Sequence, residues 1–271
     1  MKPFLFKIIA LIFFSIFTTQ LSAQKFQGKA YYFSKSKMEL GNWGARMSEA
    51  QKKQMQNRLK DRLEKKYILN FNMQESTFLE EDKIDAISGA TDSWGGYFSR
   101  GDLHKNIKEN KLVQSQEFYG KRFLVKDKLV NIEWSLGTET KKIGNYTCYK
   151  AAAMVPKSEL NWFDFSWNDL RQNSDETKKI EETMIVIEAW YTPQIPVAQG
   201  PAEYWGLPGL ILEVGAGNTT LLCSEIILNP KEKVTITAPD KGENITKKGY
   251  TSNIRKKMVE MRNNRMGRRS R

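Results

Sequence analysis

Apolar and polar residues alternate in short segments along most of the chain. In residues 67–73, for example, Tyr67, Leu69 and Phe71 alternate with Ile68, Asn70 and Asn72. A period of two is typical of a β-strand with one buried and one solvated face. The pattern predicts about nine to ten short strands separated by turn residues, at residues 26–34, 67–73, 77–81, 116–125, 129–136, 146–154, 181–191, 207–214, 219–228 and 234–237.

Strands that follow one another through short turns favour an antiparallel sheet, because parallel strands need long crossover connections. The chain is therefore predicted to be mainly β, in the α+β class. Residues 84–110 combine four glycines with scattered polar residues. This composition predicts a long surface loop.

One helix is predicted at residues 48–66, and a second near residues 254–262. Ser48 and Gln51 have the spacing of a capping box, and the apolar residues that follow repeat at helical spacing. We expect this single apolar stripe to pack on the sheet; a membrane surface or a partner helix is the alternative. The stripe consists of Met47, Met55, Leu59 and Leu63, with Tyr67 one step further.

The first 23 residues have the organisation of a secretory signal. Lys2 and Lys7 precede an apolar run at residues 8–17, and a small-residue site ends at Ala23. The run is too short to span a membrane, so we expect the mature chain to begin at residue 24. The first cysteine is Cys148, so a lipoprotein attachment site is not predicted. We expect an exported, periplasmic protein.

The net charge of +12 is concentrated near the end of the chain. Residues 247–271 hold ten basic residues and one acid, a net charge of +9, and the signal holds two more lysines. The remainder is close to neutral, so a nucleic-acid partner is not predicted. We interpret residues 24–246 as a single domain and residues 247–271 as a basic tail. That tail either contacts anionic lipid or lipopolysaccharide or is simply solvated.

The segment 188–222 concentrates prolines and large rings. Proline fixes one backbone dihedral and donates no amide hydrogen, so the stretch from the first to the last of these prolines is excluded from helices and central strands. It is predicted to form a rigid corner before the last long hairpin. The prolines are Pro193, Pro196, Pro201 and Pro208, and the rings are Trp190, Tyr191, Tyr204 and Trp205.

Residues 206–211, with the sequence GLPGLI, follow AWYTP at residues 189–193 and IP at residues 195–196. This arrangement resembles the signature of the GLPGLI family, Porphyromonas-type envelope proteins of Bacteroidetes without a defined activity. Segments at residues 134–136 and 139–151 also resemble that family. The resemblance covers most of residues 25–228 but not the insertion 156–182 or the chain after residue 242. It implies a fold and a compartment, not a reaction.

The family is in turn similar to periplasmic carriers of the LolA and LppX type. The resemblance implies a strongly curved antiparallel sheet, a half-barrel whose concave side is plugged by helices. It assigns the helix at residues 48–66 to that plug.

Binding is the leading functional hypothesis. We expect the corner to hold an apolar ligand, a peptide or an envelope protein, because aromatic and proline-lined concavities bind through area and preset shape. The alternative is that the corner only seals the end of the sheet. The predicted contact residues are Trp190, Tyr191, Pro193, Pro196, Tyr204, Trp205, Leu207, Pro208 and Leu210.

The insertion 156–182 carries a second aromatic cluster, which is predicted to be either a local lid or a partner contact. Its four rings lie within six residues and belong to Trp162, Phe163, Phe165 and Trp167.

Few residues suit catalysis. His104 is the single histidine, in a polar segment, and is interpreted as an ordinary surface residue. One histidine and two distant cysteines do not form a zinc site, and no cofactor is predicted. Two alternatives stay open: a hydrolase that uses carboxylates, and an accessory subunit of an outer-membrane transport or secretion system.

The two cysteines, Cys148 and Cys223, lie on different predicted strands. In an oxidising compartment they could form a disulfide if their Cα atoms lie within about 7 Å. The alternative is two buried thiols that act as small apolar side chains.

Overall fold

The structure, a computed structural model, describes residues 26–37, 46–58, 60–81, 101–118, 120–160 and 183–267. These residues form one large sheet and a few helices. The strands are β1 (Gln27–Ser36), β2 (Glu64–Asn72), β3 (Glu75–Glu80), β4 (Leu103–Asn106), β5 (Lys111–Phe118), β6 (Lys121–Asp127), β7 (Ser135–Ile143), β8 (Tyr146–Pro156), β9 (Met184–Thr192), β10 (Leu210–Ala216), β11 (Thr219–Leu228) and β12 (Glu243–Ile245). The helices are α1 (Glu49–Arg58), α2 (Lys60–Leu63), α3 (Lys157–Leu160) and α4 (Lys247–Gly267).

The described strands form an open, curved, twelve-stranded sheet in the order β12-β6-β5-β4-β3-β2-β1-β11-β10-β9-β8-β7. Strand β1 is central, with one antiparallel arm from β2 to β6 and another from β11 to β7. Only β12 runs parallel to its neighbour, β6, which makes the sheet mixed. The prediction of a mainly β fold built on a large curved sheet is confirmed.

Apolar residues that alternate along the strands lie on one face of the sheet. Tyr32 of β1 lies opposite Tyr67 of β2, and the Tyr67 ring stacks on Phe78 of β3 with centroids 4.7 Å apart. All three belong to one core cluster, together with Leu69 and Ala30. We call this side of the sheet the inner face. Burying an aromatic or branched side chain there contributes about 1.5–3 kcal/mol to stability.

Two separate segments cover the inner face. Helix α4 packs Tyr250, Ile254 and Met258 against Phe118, Phe123 and Val125 of β5 and β6. The segment 193–209, which we call the corner, covers the other arm with Ile195, Val197 and Leu207. The helix packed on the sheet is therefore the C-terminal one.

The helix predicted at residues 48–66 does not plug the sheet. Its start is confirmed, because Ser48 N–H donates to Gln51 Oε1 at 2.9 Å and Gln51 N–H donates to Ser48 Oγ at 3.2 Å. However, Met55 is only half-buried and belongs to neither core cluster, and Glu64 already begins β2. The reason is that α1 contains a single large apolar residue, which is too little to hold a helix on a sheet.

Several strands differ from the prediction. A turn at Gly120, which has a φ of +76°, divides residues 116–125 between β5 and β6. Strand β4 occupies part of the predicted loop 84–110, and β7 occupies most of the residues between the predicted strands 129–136 and 146–154. Residues 129–134 and 234–237 lie outside strands. Leu129 and Val130 are buried all the same, so their apolar character reflected loop packing rather than pairing.

The folded region continues past residue 246, where the sequence suggested a domain boundary, because α4 has buried residues. Within the insertion 156–182, the described part ends with α3, and the Lys157 N–H donates to the Thr183 carbonyl at 2.9 Å.

None of the described helices is long and apolar enough to cross a membrane.

We predict that Gly209→Ala destabilises the fold by about 2–3 kcal/mol, because a Cβ at this position would overlap the backbone of Thr192 and Pro193, which cannot move aside. The control is Gly215→Ala, where the added Cβ would lie 4.0 Å from its nearest heavy atom, Thr220 Oγ1. Urea unfolding measures both variants. Equal stabilities of the two variants would contradict the close approach of Gly209 to β9.

Candidate functional site

The corner consists of two extended runs that lie side by side. Gly206 N–H donates to the Ala198 carbonyl at 3.0 Å, and Leu210 N–H donates to the Ile195 carbonyl at 3.0 Å. Along each run the side chains alternate, so Val197 and Leu207 enter the core while Pro196 and Pro208 are exposed. The corner therefore has an apolar inner side and an outer side that carries prolines.

A buried lysine fixes the corner to the sheet. Lys105 of β4 is fully buried, and its Nζ donates to the carbonyls of Gly200 at 2.7 Å and Tyr204 at 2.8 Å. On β3, Ser76 Oγ donates to Gln199 Oε1 at 2.8 Å. Buried carbonyls without donors are costly, so these bonds set the position of the corner.

Two indoles are interlocked at the outer side of the corner. Trp134 Nε1–H donates to the Trp205 carbonyl at 2.9 Å, and Trp205 Nε1–H donates to the Val130 carbonyl at 2.8 Å. Both rings remain half-buried. Gly206, with a φ of +94°, passes beneath the Trp134 ring and is exposed. The outer side thus presents fixed aromatic and proline surfaces, which we call the corner face: Trp134, Pro196, Trp205, Gly206 and Pro208.

The predicted contact residues are divided between the core and the surface. Tyr191, Tyr204, Leu207 and Leu210 are buried in the core cluster, whereas Pro193, Pro196 and Pro208 are exposed. Val197 and Leu207 of the corner belong to the same core cluster as these buried residues. The insertion rings Trp162, Phe163, Phe165 and Trp167 lie outside the described residues.

Trp190 lies on the outer face of the sheet, away from its neighbour Tyr191. It is paired across the strands with Lys150 and Glu213. Lys141 Nζ lies 4.3 Å from the centroid of its ring and 2.6 Å from Glu213 Oε2. These partners make Trp190 part of a cation–π and ion-pair cluster, separate from the inner side of the corner.

Sequence reasoning missed the polar residues of the inner face. Lys105, Ser76, Gln114 and Gln199 are all fully buried. Gln114 has no hydrogen-bond partner for either amide atom within the described part of the chain. Lys105 shares a strand face with the apolar Leu103, which is the one signal that could have revealed it.

His104 is not the surface residue that the sequence suggested. It lies on β4 and is buried, because this strand has neighbours on both sides and both of its faces are covered. Its Nε2 is 3.7 Å from Glu75 Oε1. Burial lowers the pKa of His104, and the Glu75 carboxylate opposes that shift.

The described residues contain no cluster of three or more His, Cys, Asp or Glu side chains that could hold a metal ion. Among the described residues, Glu203 is the one buried acid. Two facing buried carboxyl groups, the arrangement that a carboxylate-dependent hydrolase needs, therefore do not occur among the described residues.

Cys148 and Cys223 are free, buried thiols. They lie on β8 and β11, with β9 and β10 between them in the sheet. Burial raises the pKa of Cys148 to about 11 and that of Cys223 to about 12. The sequence was compatible with a disulfide or with two buried thiols, and in this structure the two cysteines are buried thiols.

One family model matches part of the chain. Residues 134–213, which include the corner, match a family described as a protein of unknown function, Porph_ging. No curated protein matches the chain.

Two solved structures are similar to this chain. "Structure of PNGF-II in C2 space group" has a TM-score of 0.43 and 16% identity, and covers 82% of this chain and 30% of its own. "Structure of PNGF-II in P21 space group" has a TM-score of 0.45 and 14% identity, and covers 81% and 31%. The chain spans less than a third of the length of these structures, and a likeness of this degree carries no information about activity.

We predict that Lys105→Met lowers the free energy of unfolding by about 2–4 kcal/mol, because the carbonyls of Gly200 and Tyr204 would lose their donor inside the core. Methionine keeps the length of the side chain, so the loss reports the donor rather than the volume. The control is Lys111→Met, which removes an exposed lysine paired with Glu109. Urea denaturation measures both variants, and equal effects would contradict the anchoring role.

We predict that Ellman's reagent labels neither cysteine of the native protein at about pH 8 and both after denaturation, because the thiolate is the reactive form. Both pKa values are raised above the unfolded value of about 9. The associated stability is therefore complete below pH 9 and is lost as the pH rises toward 11 and 12. No labelling after denaturation without reductant would indicate a disulfide instead.

Proposed function

We propose that this chain is an exported, non-enzymatic envelope protein that binds an apolar or extended partner on its corner face. The observation that supports the proposal is the arrangement of Trp134, Trp205, Pro196 and Pro208. The two prolines are exposed and the two rings, which pack on the core, are half-buried, so all four leave part of their surface to solvent. Tryptophan is common at the energetic centres of interfaces, since it combines a large apolar area with a polar N–H group.

The corner face is held in shape without a partner. Lys105 holds the backbone of the corner and Ser76 holds its Gln199 side chain, and the two indole N–H groups are already hydrogen-bonded. A partner therefore pays little entropy to order this surface, which is how preorganised sites gain affinity. An extended chain rich in apolar residues, or the acyl part of a lipid, matches such a surface.

This version of the hypothesis differs from a carrier with an open hollow. Val197 and Leu207 fill the inner side next to Tyr204, so a ligand held there would have to displace the corner and break the Lys105 bonds. Binding on the outer side needs no such opening. An accessory role in a transport or secretion system is compatible with the same surface, with an envelope protein as the partner.

The test is native mass spectrometry of the protein isolated from its own cell envelope. We expect a bound molecule above the monomer mass in the wild type. We expect it to be lost in the double variant Pro196→Glu, Pro208→Glu, which places two charges on the corner face without altering the core. Readdition of the identified molecule should show at least a tenfold weaker affinity for this variant, about 1.4 kcal/mol.

The matched control carries two glutamates at exposed apolar positions elsewhere, Met73→Glu and Met154→Glu. It should retain the bound molecule. The proposal fails if the wild type has the bare monomer mass, or if the corner variant and the control retain the same molecule equally well.

A further inference from the structure

Helix α4 is fixed to the sheet along one side. Tyr250, Ile254 and Met258 recur at helical spacing and are buried against β5 and β6. The rings of Tyr250 and Phe123 meet edge to face, with centroids 5.3 Å apart. The orientation of the helix about its own axis is therefore set by packing.

The start of α4 is fixed as well. Thr246 Oγ1 accepts a hydrogen bond from Gly249 N–H at 3.1 Å, as an N-cap does. Lys247 N–H donates to Asp127 Oδ2 at 3.1 Å, and Lys247 Nζ lies 3.4 Å from Glu159 Oε2. Lys247 thus belongs to the anchored side of the helix.

Basic residues occupy the side of α4 that faces away from the sheet. Lys248, Lys256 and Lys257 are exposed, and Arg255 is half-buried. The single acid of the segment, Glu260, lies 3.7 Å from Lys257. Because the helix is about 30 Å long, these residues form a rigid, positively charged surface rather than a loose charged chain.

We propose that this basic side of α4 is a docking surface for the phosphate headgroups of an anionic membrane. The charge argues for it, since Lys248, Arg255, Lys256 and Lys257 outnumber the single acid of the helix, Glu260, while residues 24–246 are nearly neutral. The apolar side of α4 is already used against β6, so the contact is peripheral and electrostatic, without insertion. The choice of membrane over other polyanions rests on the envelope location proposed above.

A peripheral contact of this kind has a defined strength. Each basic residue near an anionic surface adds about fivefold to the partition coefficient. Salt weakens the contact, because screening shortens the range of the charges. Removal of three lysines should therefore lower binding about a hundredfold.

The experiment is co-sedimentation of the protein, isolated from its own envelope, with vesicles of phosphatidylglycerol and phosphatidylcholine in a ratio of about 3:7. We expect binding at about 0.1 M salt, release at about 0.5 M salt, and no binding to pure phosphatidylcholine. The variant Lys248→Gln, Lys256→Gln, Lys257→Gln should lose about a hundredfold in binding, and glutamine keeps the helix intact.

A control of equal charge separates a local surface from net charge. Lys35, Lys66 and Lys111 are exposed lysines outside α4, and the variant with all three changed to glutamine should bind vesicles as the wild type does. Equal losses in both triple variants would overturn the proposal. Binding to pure phosphatidylcholine, or tighter binding to duplex DNA than to the anionic vesicles, would overturn it too.

The two proposals fail separately. The double variant Pro196→Glu, Pro208→Glu should sediment with anionic vesicles almost as the wild type does, because the corner face takes no part in the electrostatic contact of α4. A corner that binds nothing, together with retained vesicle binding, would reject only the proposed function. If the wild type keeps its bound molecule but does not bind the anionic vesicles, only the inference about α4 is rejected.

Discussion

One buried polar contact determines how the corner lies on the sheet. Lys105 reaches from β4 to two carbonyls that are 95 and 99 residues away in the chain. A lysine is rarely buried completely, because taking its polar end out of water is costly unless donors and acceptors match. The cost makes the contact specific, because another placement of the corner would deprive the two buried carbonyls of the lysine donor.

The same constraint explains how the corner can be both core and surface. Its inward side chains complete the hydrophobic core of one arm of the sheet, and its outward residues follow automatically at alternate positions. The prolines suit this role, since they keep the backbone extended and need no amide partner on the exposed side. Helix α4 does the equivalent for the other arm, where Tyr250, Ile254 and Met258 are buried while Lys248, Lys256 and Lys257 remain exposed.

Parts of this arrangement were accessible from patterns along the chain. Alternation at residues 67–73 identified β2, the turn at residues 215–218 marked the start of β11, and Ser48 with Gln51 marked the start of α1. Proline and ring content marked the corner as irregular and rigid. The candidate site was only partly accessible: Pro196, Pro208 and Trp205 were named, but Lys105 and Trp134 were not. The reason is that a lysine on a short strand looks like a solvated residue until its neighbours are known.

Local sequence determined which segments become strands, where α1 begins, and that the segment of four prolines forms neither helix nor strand, because these follow from side-chain alternation, capping and fixed dihedrals. Tertiary structure alone decided which segments cover the inner face. It placed the corner and α4 there and left α1 outside, since burial depends on the total apolar area that each segment offers and on polar partners far away in the chain. It also placed Lys248, Lys256 and Lys257 on the exposed surface of an anchored helix, because only packing against β6 fixes which side of α4 faces water.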